Sequence, residues 1–107
     1  MWIICNCTKK DHMVNTELIQ DFFIEKTVRK AAIPKYHKDG EIVFTDDGEY
    51  SIDKPAEFWY QPSFHFVNSD ESHYLADRFT EGSKARVVLL SILKSIEKGK
   101  LVHQVQD

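Results

Sequence analysis

Apolar residues along this chain recur with two different periods, and the change of period marks out the expected elements. From Phe79 to Gly99, residues Ala85, Val88, Leu89, Ile92, Leu93 and Ile96 fall at steps of three and four, a single stripe on an α-helix. Thr80 is placed to cap the first free amides, and Gly99 offers the permissive φ that ends a helix. Lys94, Lys98 and Lys100 stand where the negative end of the helix dipole favours cations. Upstream the period is two. Trp2 to Cys7 reads as a strand, with Trp2 and Ile4 on one face and Ile3, Cys5 and Cys7 on the other. A polar turn follows over Thr8 to His12. Leu18 to Lys26 reads as a strand on its aromatic and β-branched content, a helix capped by Thr16 being the alternative for Thr16 to Phe23. Thr27 to Ile33 continues as a strand until Pro34 stops it.

Two hairpins come next. Residues 41–44 and 49–52 flank the turn Thr45-Asp46-Asp47-Gly48, and residues 64–67 and 73–76 flank Asn68-Ser69-Asp70-Glu71. Phe58 to Pro62 reads as a loop or edge segment, because Pro62 removes a ladder donor. The tail from Leu101 to Val105 adds a short strand or frays. A one-sided helix needs an apolar surface to lie on. The expected fold is therefore α+β, one domain over residues 1–107, with an antiparallel sheet of about five or six strands packed on one face by a C-terminal amphipathic helix beginning near Glu81.

Composition fits a globular chain: of 107 residues, 42% are hydrophobic, 29% charged and only three are proline. The longest apolar run, Val87 to Leu90, is far too short to cross a bilayer. The opening Met-Trp-Ile-Ile-Cys-Asn-Cys has no basic stretch ahead of it and no small-residue cleavage site, so the cytoplasm is the expected location. Charge changes the picture more. Residues 1–38 carry seven Lys/Arg against four acids, residues 39–81 only Lys54 and Arg78 against eleven acids, and residues 82–107 five against two. The middle of the chain is an acidic block between mildly basic ends. It argues against direct docking of that surface on nucleic-acid phosphates and suits a basic protein partner.

Candidate chemistry is sparse. Cys5 and Cys7 on one strand face make a poor disulfide, and with His12 they give a ligand cluster lacking a fourth group. Cys5 lies in an apolar strand, which raises a thiol pKa rather than activating it. The five histidines show no metal-ligand spacing. Asp46-Asp47-Gly48-Glu49 lacks the alternating ligands of a calcium loop and reads as a turn. The four glycines lie too far apart to cradle a phosphate. No metal and no cofactor is expected. The aromatic cluster Phe58, Trp59, Tyr60, Phe64 and Phe66 offers rings that cannot all face one core. On the helix, Val87 and Leu90 fall opposite the core stripe next to Lys94, a candidate homodimer face.

Two stretches resemble a group of small uncharacterised proteins from Gram-positive bacteria and their phages. One is the Met-Trp-Ile opening with, after a polar turn, Val14-Asn15 and Ile19 to Glu25. The other is Leu75 to Ile92, similar to that group's strand ending in an aromatic, a capped turn and then Ala85-x-x-Val88-Leu89-x-x-Ile92. The resemblance implies an antiparallel sheet covered by one C-terminal helix and carries no activity. Against that pattern, residues 45–72 are a longer, acidic and aromatic insertion, and Ser83 stands where a capping-box glutamate is usual.

The expected function is a non-catalytic interaction module, phage- or mobile-element-borne, that binds or inhibits a host protein. Its candidate contacts are Asp46, Asp47 and Glu49 with Phe58, Trp59, Tyr60 and His65, and mimicry of nucleic acid against a defence nuclease is one form it could take. The alternatives are an oligomeric binder of a nucleotide or metabolite, with a pocket at Trp59, Tyr60 and His65, and a small enzyme using Cys5 or His chemistry.

Overall fold

The computed structural model describes residues 1–7 and 10–105. Eight strands and one α-helix follow in the order β1 (Trp2–Cys7), β2 (Lys10–Asn15), β3 (Ile19–Lys30), β4 (Ile33–Pro34), β5 (Ile52–Lys54), β6 (Glu57–Phe66), β7 (His73–Tyr74), α1 (Gly82–Glu97) and β8 (Val102–Gln104). A single 3₁₀ turn, Thr16–Leu18, joins β2 to β3. The chain is mixed α and β and mostly strand, but the strands do not join in one sheet. They form a three-stranded sheet in the order β2-β1-β8, a second in the order β3-β6-β7, and the two-stranded pair β4-β5.

Nor is the pairing wholly antiparallel. β8 lies parallel to β1, Trp2 opposite Val102 and Ile4 opposite Gln104, whereas β2 runs antiparallel with Ile3 opposite Val14. The Trp2 amide donates to the Leu101 carbonyl at 2.8 Å and the Val105 amide to the Ile4 carbonyl at 2.8 Å, so the tail is tied at both ends of this short ladder. The polar stretch expected as a turn over Thr8 to His12 is already strand from Lys10; Thr8 and Lys9 lie outside the described residues.

The chain divides into two compact units, one of residues 1–26 and 59–107, the other of residues 27–58. The first holds the core. Ile3 and Cys5 on one face of β1, Phe64 on β6, Leu75 and Ala76 after β7, and Val88 and Ile92 on α1 make one buried cluster, closed by Val105. Alternation on β1 is as expected, Ile3 fully buried and Trp2 exposed. Each such fully buried side chain contributes roughly 1.5–3 kcal/mol relative to exposure.

Three local expectations are corrected. First, Pro62 is buried inside β6, the central strand of its sheet, and does not end it. Its carbonyl accepts from the Leu75 amide at 2.9 Å, one position past the two-residue β7, so the missing donor falls just beyond the end of that ladder. Second, α1 is rotated relative to the expected stripe. Ala85, Val88, Ile92 and Ser95 are its buried residues, while Leu93 and Ile96 are about half exposed, at 50% and 42%. Ser95 is drawn in because His103 on β8 gives it a partner, Oγ to Nδ1 at 2.5 Å, and a satisfied hydroxyl tolerates burial. Third, the helix is capped by Glu81 rather than Thr80, and no side chain completes the cap.

The helix stop follows expectation. Gly99 has φ +67°, its amide donates to the Ile96 carbonyl, and the Lys100 amide donates to the Ser95 carbonyl, the two hydrogen bonds of a Schellman ending. Replacing Leu75, which is fully buried, with alanine is expected to cost about 2–5 kcal/mol in urea unfolding, against within about 0.5 kcal/mol for Val87→Ala on the exposed side of α1.

Candidate functional site

The 27–58 unit is built by turns rather than by a core. β4 and β5 pair as Ile33 with Lys54 and Pro34 with Ile52. The ends of β3 and β6 also fall in this unit, and between β4 and β5 the chain is held by the bridges Tyr36 with Ile42 and Phe44 with Tyr50 and by the backbone hydrogen bonds around them. Residues 41–44 and 49–52 thus face each other as the expected hairpin, through the Phe44–Tyr50 bridge and the Ser51 amide to the Val43 carbonyl at 2.8 Å, but not as two continuous strands. Two tight turns shape the segment. Gly40 at φ +89° and Gly48 at φ +86° hold the left-handed conformations these turns require.

No side chain in residues 27–58 is buried. Ile33, Tyr36, Ile42, Phe44, Tyr50 and Ile52 are all more than a third exposed, Phe44 at 63%. Between Asp39 and Asp53 stand six acids, Asp39, Glu41, Asp46, Asp47, Glu49 and Asp53, and not one Lys or Arg. From Ile42 to Ile52, apolar side chains thus stand open to water in a stretch whose own charges are all negative. Lys35, Lys38 and Lys54 flank this stretch, so the unit as a whole carries five Lys/Arg against seven acids; Arg29 Nη2 donates to Glu57 Oε2 at 2.7 Å, with Lys30 Nζ at 3.8 Å from the same oxygen.

Asp46, Asp47 and Glu49 are brought together in the turn at Thr45. The Thr45 amide donates to the Glu49 carbonyl at 2.6 Å, and the Thr45 hydroxyl sits between that carbonyl and Asp47 Oδ1. The Thr45 hydroxyl, and after it the Glu49 amide, hold the Asp47 carboxyl below its ordinary value of 3.8. Asp47 thus acts as a turn residue as well as a surface charge.

The remaining candidates are engaged elsewhere. Phe58 ends the 27–58 unit, half-buried, while Trp59, Tyr60 and His65 belong to the other unit. Trp59 lies under the Arg78 guanidinium, 4.7 Å from the ring centroid. The Tyr60 ring packs against Gly82, where a Cβ would meet it at 3.4 Å. His65 Nδ1 is 2.7 Å from Asp21 Oδ1, and its imidazole stacks on Phe23 at 4.4 Å. These rings are half-buried and do not converge on one pocket.

The apolar cleft of the first unit lies instead near Cys5. It measures about 460 Å³ and is walled by Met13, Phe64, Phe66 and Tyr74, with His12 and His73 at its edge. Cys5 is 2% exposed there. Glu25, hydrogen-bonded to Tyr74, and burial together push the Tyr74 hydroxyl above its ordinary value. Among the described residues no group of three or more His, Cys, Asp or Glu side chains could hold a metal ion, and no helix is long and apolar enough to cross a membrane.

On α1, Val87 and Leu90 are exposed, and with Leu93 and Ile96 they form a ridge at steps of three. Lys94 is exposed beside them and lines a separate polar depression with Ser95 and His103. Spacing rules missed that last group, because Ser95 and His103 come from different elements and meet only when β8 pairs with β1.

No protein family, no curated protein and no solved structure matches the chain. The turn makes a direct prediction. Asp47 should titrate below 3.8 by NMR of its carboxyl carbon, and Thr45→Val should return the midpoint toward that value. Because the folded pKa is the lower one, the Thr45–Asp47 contribution is complete above the ordinary carboxylate value and disappears as pH falls through the folded one.

Proposed function

We propose that this chain is a non-catalytic interaction protein whose 27–58 unit docks on a basic, partly apolar surface of another protein. One observation carries the reading: the unit orders thirty-two residues without a fully buried side chain, while presenting open rings along a stretch, Asp39 to Asp53, that holds six acids and no Lys or Arg. Fixing each backbone residue costs roughly 1–2 kcal/mol, and isolated two-stranded pairs are marginal in water. A partner covering Phe44, Tyr50 and their neighbours supplies the burial the unit lacks. Acids around apolar anchors steer a basic partner and fix its orientation. A nucleic-acid-handling host protein is the partner class of best fit, since its phosphate-binding surface is basic and the row Asp46, Asp47 and Glu49 offers it negative charge in place of phosphates. Occlusion of such a surface, a defence nuclease's among them, is the finer form of the proposal.

Self-association belongs to the same reading. The ridge of Val87, Leu90, Leu93 and Ile96 is the apolar face a second copy would cover, with Lys94 at its border.

Two measurements bear on this. Captured host protein, identified from a bacterial lysate on the immobilised chain, is expected to be displaced by duplex DNA and to bind about tenfold more weakly to the Asp46→Lys, Asp47→Lys, Glu49→Lys variant. Capture indifferent to those reversals would remove the electrostatic basis of the proposal. For self-association, sedimentation equilibrium should give a dimer for the native chain and a monomer for Leu90→Asp; equal masses would assign the ridge to free surface.

A further inference from the structure

The depression at the C-terminal end of α1 is independent of the docking unit. It measures about 330 Å³ and is lined by Ser91, Lys94, Ser95 and Lys98 of the helix, by Lys100 after the Gly99 turn, and by His103 of β8. Lysines are common at helix ends, where they answer the dipole or hydrogen-bond the last carbonyls. Here the carbonyls of Lys94, Ser95 and Ile96 already accept from the amides of Lys98, Lys100 and Gly99. The three ammonium groups are not needed as caps, and among the described residues no carboxylate pairs with them.

The floor of the depression is built and ordered. Ser95 is 4% exposed, with its Oγ 2.5 Å from His103 Nδ1. Ser91 Oγ donates its hydrogen to the Val88 carbonyl at 2.8 Å, so toward His103 Nε2, 3.5 Å away, it can only accept. Burial, and after it the charge of Lys100, keep the imidazole below its ordinary value of 6.5. From the helix and its C-terminal cap Lys94 and Lys98 line the same depression, from the turn Lys100, and in the β1–β8 register His103 lies opposite the apolar Ile3. The result is a neutral, hydrogen-bonded floor under a rim of three cations.

We propose that this depression binds a small phosphate-bearing molecule. Lysines act as point charges that suit a tetrahedral dianion approached from several sides, whereas a planar carboxylate is matched best by the arginine fork, which is missing from this lining. Lys98 and Lys100 neutralise the phosphate, and the Gln104 side-chain amide gives it a polar neighbour. The bound anion also offsets the field of Lys100, so His103 takes up a proton more readily when the depression is filled.

The test follows the imidazole signals of His103 by NMR while inorganic phosphate, or phenyl phosphate, is added at constant ionic strength balanced with chloride. The expected result is a saturable shift, a His103 midpoint that rises with phosphate, and affinity about tenfold weaker in Lys98→Gln, Lys100→Gln but unchanged in Lys84→Gln at the far end of the helix. Tighter binding of the ester assigns the site to phosphomonoesters, and equal binding to the free ion; either supports the shared chemistry. A shift that chloride reproduces, that does not saturate, or that survives the double substitution unchanged would overturn the proposal.

Discussion

Removal of Ile3, Leu75 and Ile92 from water is the interaction on which the rest of this structure depends. They come from the first strand, the segment after β7 and the single α-helix, and each is essentially inaccessible to solvent. Through them the two three-stranded sheets and α1 share one core. A domain of this size has little apolar surface to bury, so concentrating burial at one point leaves other parts of the chain without any. The exposed rings of residues 27–58 are the counterpart of that concentration. A chain with a larger core could have folded Phe44 and Tyr50 inward; here they are left to meet something else.

Where burial and sequence period coincide, the fold was legible from residues alone. The alternation from Trp2 to Cys7 names the buried face of β1, and the steps of three and four from Ala85 to Ile92 name most of the buried face of α1. The Gly99 stop was equally readable, because a positive φ is a local demand with a local answer. What failed were decisions made between elements. Pro62 disqualifies a central strand only if its nitrogen faces a partner carbonyl that needs a donor, and the shortness of β7 cannot be read from β6. Leu93 and Ile96 satisfy the helical period yet lie outside, since Ser95 found a hydrogen-bond partner on a strand the period does not know about.

The candidate site was legible in its charge and not in its assembly. Eleven acids between residues 39 and 81 are visible to anyone counting, and the turn at Asp46-Asp47-Gly48 is a matter of local chemistry. But contiguous residues need not share a surface. Trp59 takes Arg78, His65 takes Asp21, and Tyr60 lies against Gly82, each by a contact between positions distant in sequence. The lysine-rimmed depression went unread for the same reason: its floor joins Ser91 and Ser95 to His103 across a helix ending.

Pairing of Trp2 with Val102 joins strands that lie far apart in sequence. A contact of such long range carries a large closure entropy, offset only by what the intervening segments bury. Because Val105 belongs to the buried cluster and is tied to Ile4 just beyond β8, loosening the β1–β8 ladder would open the cluster toward Ile3. The interior that anchors the fold is thus closed by a seam, and the β1–β8 ladder is the stitching that keeps water out of it.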